Sequence, residues 1–137
     1  MDDARKAAFV EKYKHAGHIW SGHTFMDCQE IKDYLAELPI SEVAAPRRPY
    51  THRDAGNLDY VYGELLYNLS GFEGYFQDKA YHIDEVEIRP VLGGNTFSLE
   101  FVIHFTSKNG HTGVKTLEVL RTGEREYLLF ADKYRLS

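Results

Sequence analysis

From Thr96 to Ser107 an apolar side chain returns at every second residue, Phe97, Leu99, Phe101, Ile103 and Phe105, while Ser98, Glu100, His104 and Thr106 fall on the other side. A period of two belongs to a strand with one buried face. Asn109-Gly110 follows at once, and that pair tolerates the positive φ that a tight hairpin turn demands. The pattern continues on either side. One strand is predicted from about Tyr81 to Val91, closing near Gly93-Gly94-Asn95, and another from about Gly113 to Arg121, carrying Leu117 and Val119. A last strand runs from Glu126 to Leu136 after the turn at Thr122-Gly123-Glu124. Turns this short join antiparallel neighbours, because a parallel pair needs a crossover of about a dozen residues. A doubly wound parallel sheet is therefore excluded, and residues 79–137 read as a four-stranded antiparallel meander.

Residues 1–78 follow another period. Phe9, Val10 and Tyr13 stand at helical spacing between Asp3 and His15, with Asp2 and Asp3 as N-cap candidates and Gly17 as a stop. Asp27 and Glu30 take capping-box spacing, and Ile31, Tyr34, Leu35 and Leu38 form an apolar stripe that Pro39 closes. Leu58, Val61, Leu65, Leu69, Phe72 and Phe76 predict a third helix from Asn57, against the weakening effect of Gly63, Gly71 and Gly74. Between these two helices, Ile40 to Gly56 contains Pro46, Pro49 and three arginines without a sustained period, and reads as a long loop. Helices followed by hairpins define an α+β class, with N-terminal helices packed on one face of a curved antiparallel sheet. A chain of 137 residues supports one core, so 1–137 is expected to be a single domain.

Two stretches carry a family likeness. Ile19-Trp20-Ser21-Gly22 with Phe25-Met26-Asp27-Cys28-Gln29-Glu30-Ile31 and Tyr34-Leu35-Ala36-Glu37-Leu38-Pro39 is similar to the strand, glycine-turn and third-helix segment of the NTF2-like superfamily. That superfamily is the cone-shaped α+β fold shared by nuclear transport factor 2, ketosteroid isomerases, scytalone dehydratase and SnoaL-type polyketide cyclases. Lys115 to Arg121 with Tyr127 to Leu136 resembles its closing hairpin. The resemblance implies a conical pocket between helices and sheet where a ligand binds, and dimers formed through the sheet face. It also implies an Asp, or an Asp with a His, where a member is an isomerase or dehydratase.

Composition removes other classes. A formal charge of -5 argues against a general phosphate-backbone binder, which leaves Arg47, Arg48, Tyr50, His52 and Arg53 as a local basic cluster, and no nucleic-acid partner is expected. No apolar run approaches the roughly 18 residues of a membrane span, and Met1 to Arg5 lacks an apolar signal core, so a cytoplasmic chain without a membrane partner is expected. His15, His18 and His23 lie close together but match no ligand spacing, and no glycine-rich cradle precedes a helix, so neither metal nor cofactor is expected. Cys28 is the only cysteine, which excludes an internal disulfide.

The residues that remain for chemistry are few. His104 stands on the same strand face as Glu100, four residues beyond it, and an imidazole beside a carboxylate works as an acid or base near neutral pH. Asp84 and Asp132 are carboxylates on the first and last strands, and a pocket carboxylate with raised proton affinity serves as a general base. The plainer reading makes all three solvated groups, with Asp84 part of an acidic edge shared with Glu85 and Glu87. Trp20, Tyr60, Tyr67, Phe101 and Tyr134 are the candidate ligand contacts, offering apolar area and hydroxyl donors. Two functions are expected. One is a domain, homodimeric, that binds a hydrophobic small molecule and isomerises, cyclises or dehydrates it. The other is a non-catalytic interaction module using the Ser98 to Thr106 face or the Pro39 to Asn57 loop.

Overall fold

The computed structural model describes residues 3–14, 18–20, 29–42, 52–75, 82–93, 96–106, 110–131 and 135–136, with backbone alone at 18–20, 30, 52, 53, 67–75, 82, 83, 135 and 136. In chain order the elements are α1 (Asp3–Tyr13), β1 (His18–Trp20), α2 (Gln29–Ala36), β2 (His52–Gly56) and α3 (Leu58–Tyr75). There follow β3 (His82–Gly93), β4 (Thr96–Thr106), β5 (Thr112–Gly123), β6 (Glu126–Ala131) and β7 (Arg135–Leu136). The fold is α+β, with antiparallel pairing between all of its named strands.

The meander β3-β4-β5-β6 sits as its turn chemistry dictates. Gly93 pairs with Thr96 and Gly123 with Glu126, each closing a short hairpin. In the β4–β5 connection Gly110 has φ of 84°, a left-handed conformation that glycine adopts without a Cβ clash. The expected last strand is β6 and β7, both pairing with β5.

The sheet is wider than the meander. Its order is β1-β3-β4-β5-β6-β2, so segments from the N-terminal half flank the meander on both sides. This corrects the reading of 40–56 as a loop: His52–Gly56 pairs with β6, from His52 opposite Ala131 to Gly56 opposite Tyr127, and Ile40 bridges Arg121. The sequence His-Arg-Asp-Ala-Gly lacks the apolar alternation of a half-buried strand. Backbone pairing to the edge of β6 makes it a strand.

The helices share one core with the sheet. Phe97, Leu99, Phe101, Ile103 and Phe105 of β4, with Val86, Ile88, Leu117, Val119 and Leu129 from neighbouring strands, form it together with Phe9, Tyr13, Ile31, Leu35, Val61 and Leu65 from the helices. Burying a side chain of this size contributes about 1.5–3 kcal/mol, so this layer is the main source of stability. Phe9 meets Phe97 edge-on at 5.1 Å between ring centroids. The Tyr13 hydroxyl donates to the Tyr34 carbonyl at 2.9 Å, and burial pushes its pKa up. Asn57 caps α3, its side-chain oxygen accepting from the Tyr60 N–H at 2.8 Å. The helix then runs through Gly63, where a Cβ would meet open space, because the Val61 and Leu65 face is anchored in the core.

Gly56 joins β2 to α3 and accepts the Tyr60 ring against its Cα. A Cβ there would lie 2.9 Å from Tyr60 Cγ and 3.1 Å from its Cβ. The root of the side chain, not a mobile tip, would have to move. We expect Gly56→Ala to cost about 1–3 kcal/mol, in the range of overpacking. A thermal melt indistinguishable from that of the parent would show that α3 shifts freely.

Candidate functional site

The second face of the sheet carries the polar residues of β3, β4 and β5. His104 is half-buried, and its partner is Glu87 on the adjacent strand, with Nε2 2.7 Å from Oε1. Glu100 is opposite Glu118 in the β4–β5 register instead. Arg89 takes the other carboxylate oxygen of Glu87, its Nε donating at 3.0 Å. This Arg89 contact holds the Glu87 carboxyl below the ordinary carboxylate range; burial opposes the shift, and the His104 contact adds to it. Asp84 is exposed at the bulge between Ile83 and Glu85 and accepts a hydrogen bond from the Thr106 hydroxyl. Farther along, Ser98 donates to Glu118 at 2.6 Å, with both side chains buried.

The Glu87 cluster has a pH signature. A carboxylate whose pKa is lowered by folding contributes stability that is whole above its unfolded value and is lost as pH falls through the lowered one. Glu87→Gln should cost about 0.5–1 kcal/mol at neutral pH, the scale of a partly exposed ion pair, and almost nothing near pH ~3. Urea unfolding at the two pH values measures the difference. An equal cost at both would mean that the carboxylate charge contributes nothing.

A concavity lies at the opposite end of the sheet, a cleft of about 830 Å³. Ile40, Ser41 and Glu42 line it from the segment after α2, Ala55 and Gly56 from β2, and Thr122, Glu126, Tyr127 and Leu128 from the β5–β6 hairpin. The cleft is firmly framed. The Ser41 N–H donates to the Arg121 carbonyl at 2.7 Å, and its Oγ accepts from the Phe97 N–H at 2.8 Å. Tyr127 and Leu128 are almost fully buried, and Leu128 continues into a small apolar cluster with Leu120 and Phe130 on the second face. Burial pushes the Tyr127 phenol above its ordinary pKa. A volume of this size matches small-molecule sites.

Asp84 and His104 are not near this cleft. His104 pairs with Val114, eight positions along β5 from Thr122, which is about 26 Å at strand rise. Phe101 is fully buried in the helix-side core. Tyr60 is 47% exposed at the start of α3, against Gly56, and its phenol is pushed up in pKa chiefly by the Asp54 carboxylate. Trp20 is opposite Glu85 in the β1–β3 register, Tyr67 belongs to α3, and the side chains of both fall outside the described residues. Asp132 and Tyr134 lie outside them altogether, as do His15, His23, Cys28, Arg47, Arg48 and Tyr50. Among the described residues no three His, Cys, Asp or Glu side chains gather as metal ligands, and no helix is long and apolar enough to cross a membrane.

The cleft has no signature in the sequence. Its residues come from separate segments with no local motif, and the one hint is Ile40 next to a serine just past a helix-ending proline. Lys115 is equally silent. That residue is opposite Ile103 in the β4–β5 register and half-buried, and burial lowers its pKa. No family model matches the chain, and searches of curated proteins and of solved structures return no match, so the function rests on the geometry of the site itself.

Proposed function

We propose that the protein is an NTF2-like domain that binds a small, largely apolar molecule in the cleft framed by Ser41, Gly56 and Leu128. One observation carries this reading: a cleft of about 830 Å³ with a buried apolar floor, held open by hydrogen bonds that tie the segment after α2 to β4 and β5. Concave, mostly apolar sites with few polar groups are the usual form of a ligand site. The layering of helices on the sheet supports the family reading. Binding rather than turnover is favoured, because the Glu87–His104 pair is at the far end of the sheet and cannot reach a molecule seated here.

The test uses the neutral dye Nile red and a variant that fills the cleft. Ala55 is exposed on the edge strand and lines the cleft, so Ala55→Trp occupies the space without disturbing the core. The parent chain should enhance and blue-shift Nile red emission, and Ala55→Trp should reduce the effect at least about fivefold, in keeping with lost apolar contact area. Emission unchanged by Ala55→Trp, with both proteins folded by circular dichroism, would overturn the proposal.

A further inference from the structure

We infer that the molecule held in the cleft presents an uncharged carbonyl oxygen to the hydroxyl of Tyr127, an inference that rests on the cleft being the binding site. Tyr127 lines the cleft and is 3% exposed. Its hydroxyl makes no hydrogen bond with any of the described residues. Every fully sealed side-chain nitrogen or oxygen among those residues does have a partner, so the phenol oxygen of Tyr127 is not sealed and opens on the cleft that the residue lines. A polar group drawn this far from water without a partner is destabilising, and a ligand atom that pairs with it removes the loss.

The hydroxyl calls for an acceptor. Burial raises the proton affinity of the phenol against the opposing pull of Arg121, so the proton stays in place at neutral pH. An unfilled lone pair is tolerated in a folded chain more readily than an unpaired donor. The other side-chain hydroxyls of the described lining are engaged: Thr122 Oγ1 donates to the Glu126 carbonyl at 3.4 Å, and Ser41 Oγ donates to the Phe97 carbonyl at 3.2 Å. Tyr127 is therefore the uncommitted side-chain donor of that lining. The acceptor it meets is neutral, because the described lining contains no cation. Arg121 is near, its guanidinium carbon 5.9 Å from the Tyr127 ring centroid, but its nitrogens donate to the carbonyls of Ala36, Leu38, Gly123 and Glu124. A carboxylate on this apolar floor would lose its water without gaining a counter-charge, whereas a ketone, ester or amide oxygen takes the phenol hydrogen without that penalty.

Three probes of one shape test this: benzylacetone, isopentylbenzene, which has a methyl-bearing carbon in place of the carbonyl, and hydrocinnamate, its carboxylate analogue. Each is titrated against Nile red bound to the parent chain and to Tyr127→Phe. Within one protein, the ratio of ketone to hydrocarbon displacement cancels any change in the affinity of the dye itself. That ratio should fall at least about threefold in Tyr127→Phe, the effect of one hydrogen bond between neutral groups. Hydrocinnamate should need a concentration at least about tenfold above that of the ketone in the parent. The infrared carbonyl stretch of bound, isotope-labelled benzylacetone should lie at lower frequency in the parent than in the variant, a difference that a packing role for the ring would not produce. Tyr127→Phe should melt no lower than the parent, because the hydroxyl it removes has no partner in the fold. A ratio or a stretch unchanged by the variant, or preference for the carboxylate, overturns the inference and leaves the cleft as a site without this donor. A variant that melts below the parent overturns it too, since the hydroxyl would then be bonded within the protein. Failure of all three probes to displace the dye, together with Nile red emission insensitive to Ala55→Trp, removes the cleft reading and this inference with it.

Discussion

Phe101→Ala should cost about 3–5 kcal/mol of folding stability, the range for removing a buried ring from a packed core. Phe101 is fully buried, central in β4, opposite Ile88 on one side and Leu117 on the other. Alanine leaves a void that neighbouring rings and strands fill only in part. A domain of this size has roughly 5–15 kcal/mol in total, so the variant should melt early and populate unfolded chain at physiological temperature. Phe101→Leu, which keeps most of the volume, should cost under about 1.5 kcal/mol. The same pair of variants decides between two roles for this residue. A ligand contact would show weaker Nile red binding with little change in the urea midpoint, and that result would sink the core assignment.

The row to which Phe101 belongs is legible in the amino-acid sequence, because a period of two identifies a face without reference to its partner. The partner of His104 is not. Glu100 lies four residues away on the same strand, about 13 Å at strand rise, whereas Glu87, opposite Val102, is a diagonal cross-strand neighbour of His104 within reach of a long side chain. Which residue of β3 reaches His104 depends on the bulge between Ile83 and Glu85, and a bulge shifts register without a mark in the composition. A longer-range effect hides β2. Its five residues gain their strand conformation from the open edge of β6, an edge that exists only after the meander has formed. The second face misleads in another way. Ser98 and Glu118 have the look of outward polar residues, yet both are buried and satisfy each other through a hydrogen bond. Alternation reports which side of a strand a residue takes, and burial depends on what lies above it.

Arg121→Met should destabilise the chain by about 2–3 kcal/mol and weaken the cleft more than it weakens the core. The last turn of a helix leaves carbonyls without partners, and a positive group there also meets the negative end of the helix dipole. Arg121 serves α2 in this way from the sheet, donating to Ala36 at 3.3 Å and Leu38 at 3.2 Å. The same guanidinium closes the β5–β6 hairpin through Gly123 at 3.2 Å and Glu124 at 2.9 Å. Hydrogen bonds to a charged donor are worth about 1.5–3 kcal/mol each when isolated, and several that share one group do not add. Methionine keeps the stem and removes every donor. Lysine restores the charge but offers its donors from a single point, too close together to span these carbonyls, so Arg121→Lys should recover less than about half of the loss. Both structures tied by Arg121 border the cleft: the segment at Ile40 and Ser41 follows the capped end of α2, and Glu126 follows the hairpin turn. Amide exchange should therefore accelerate first at Ser41 and in the 122–128 hairpin, with Nile red affinity falling in the same variant. Uniform acceleration across β3, β4 and β5 would instead mean that Arg121 supports the whole sheet and that the cleft has no separate frame.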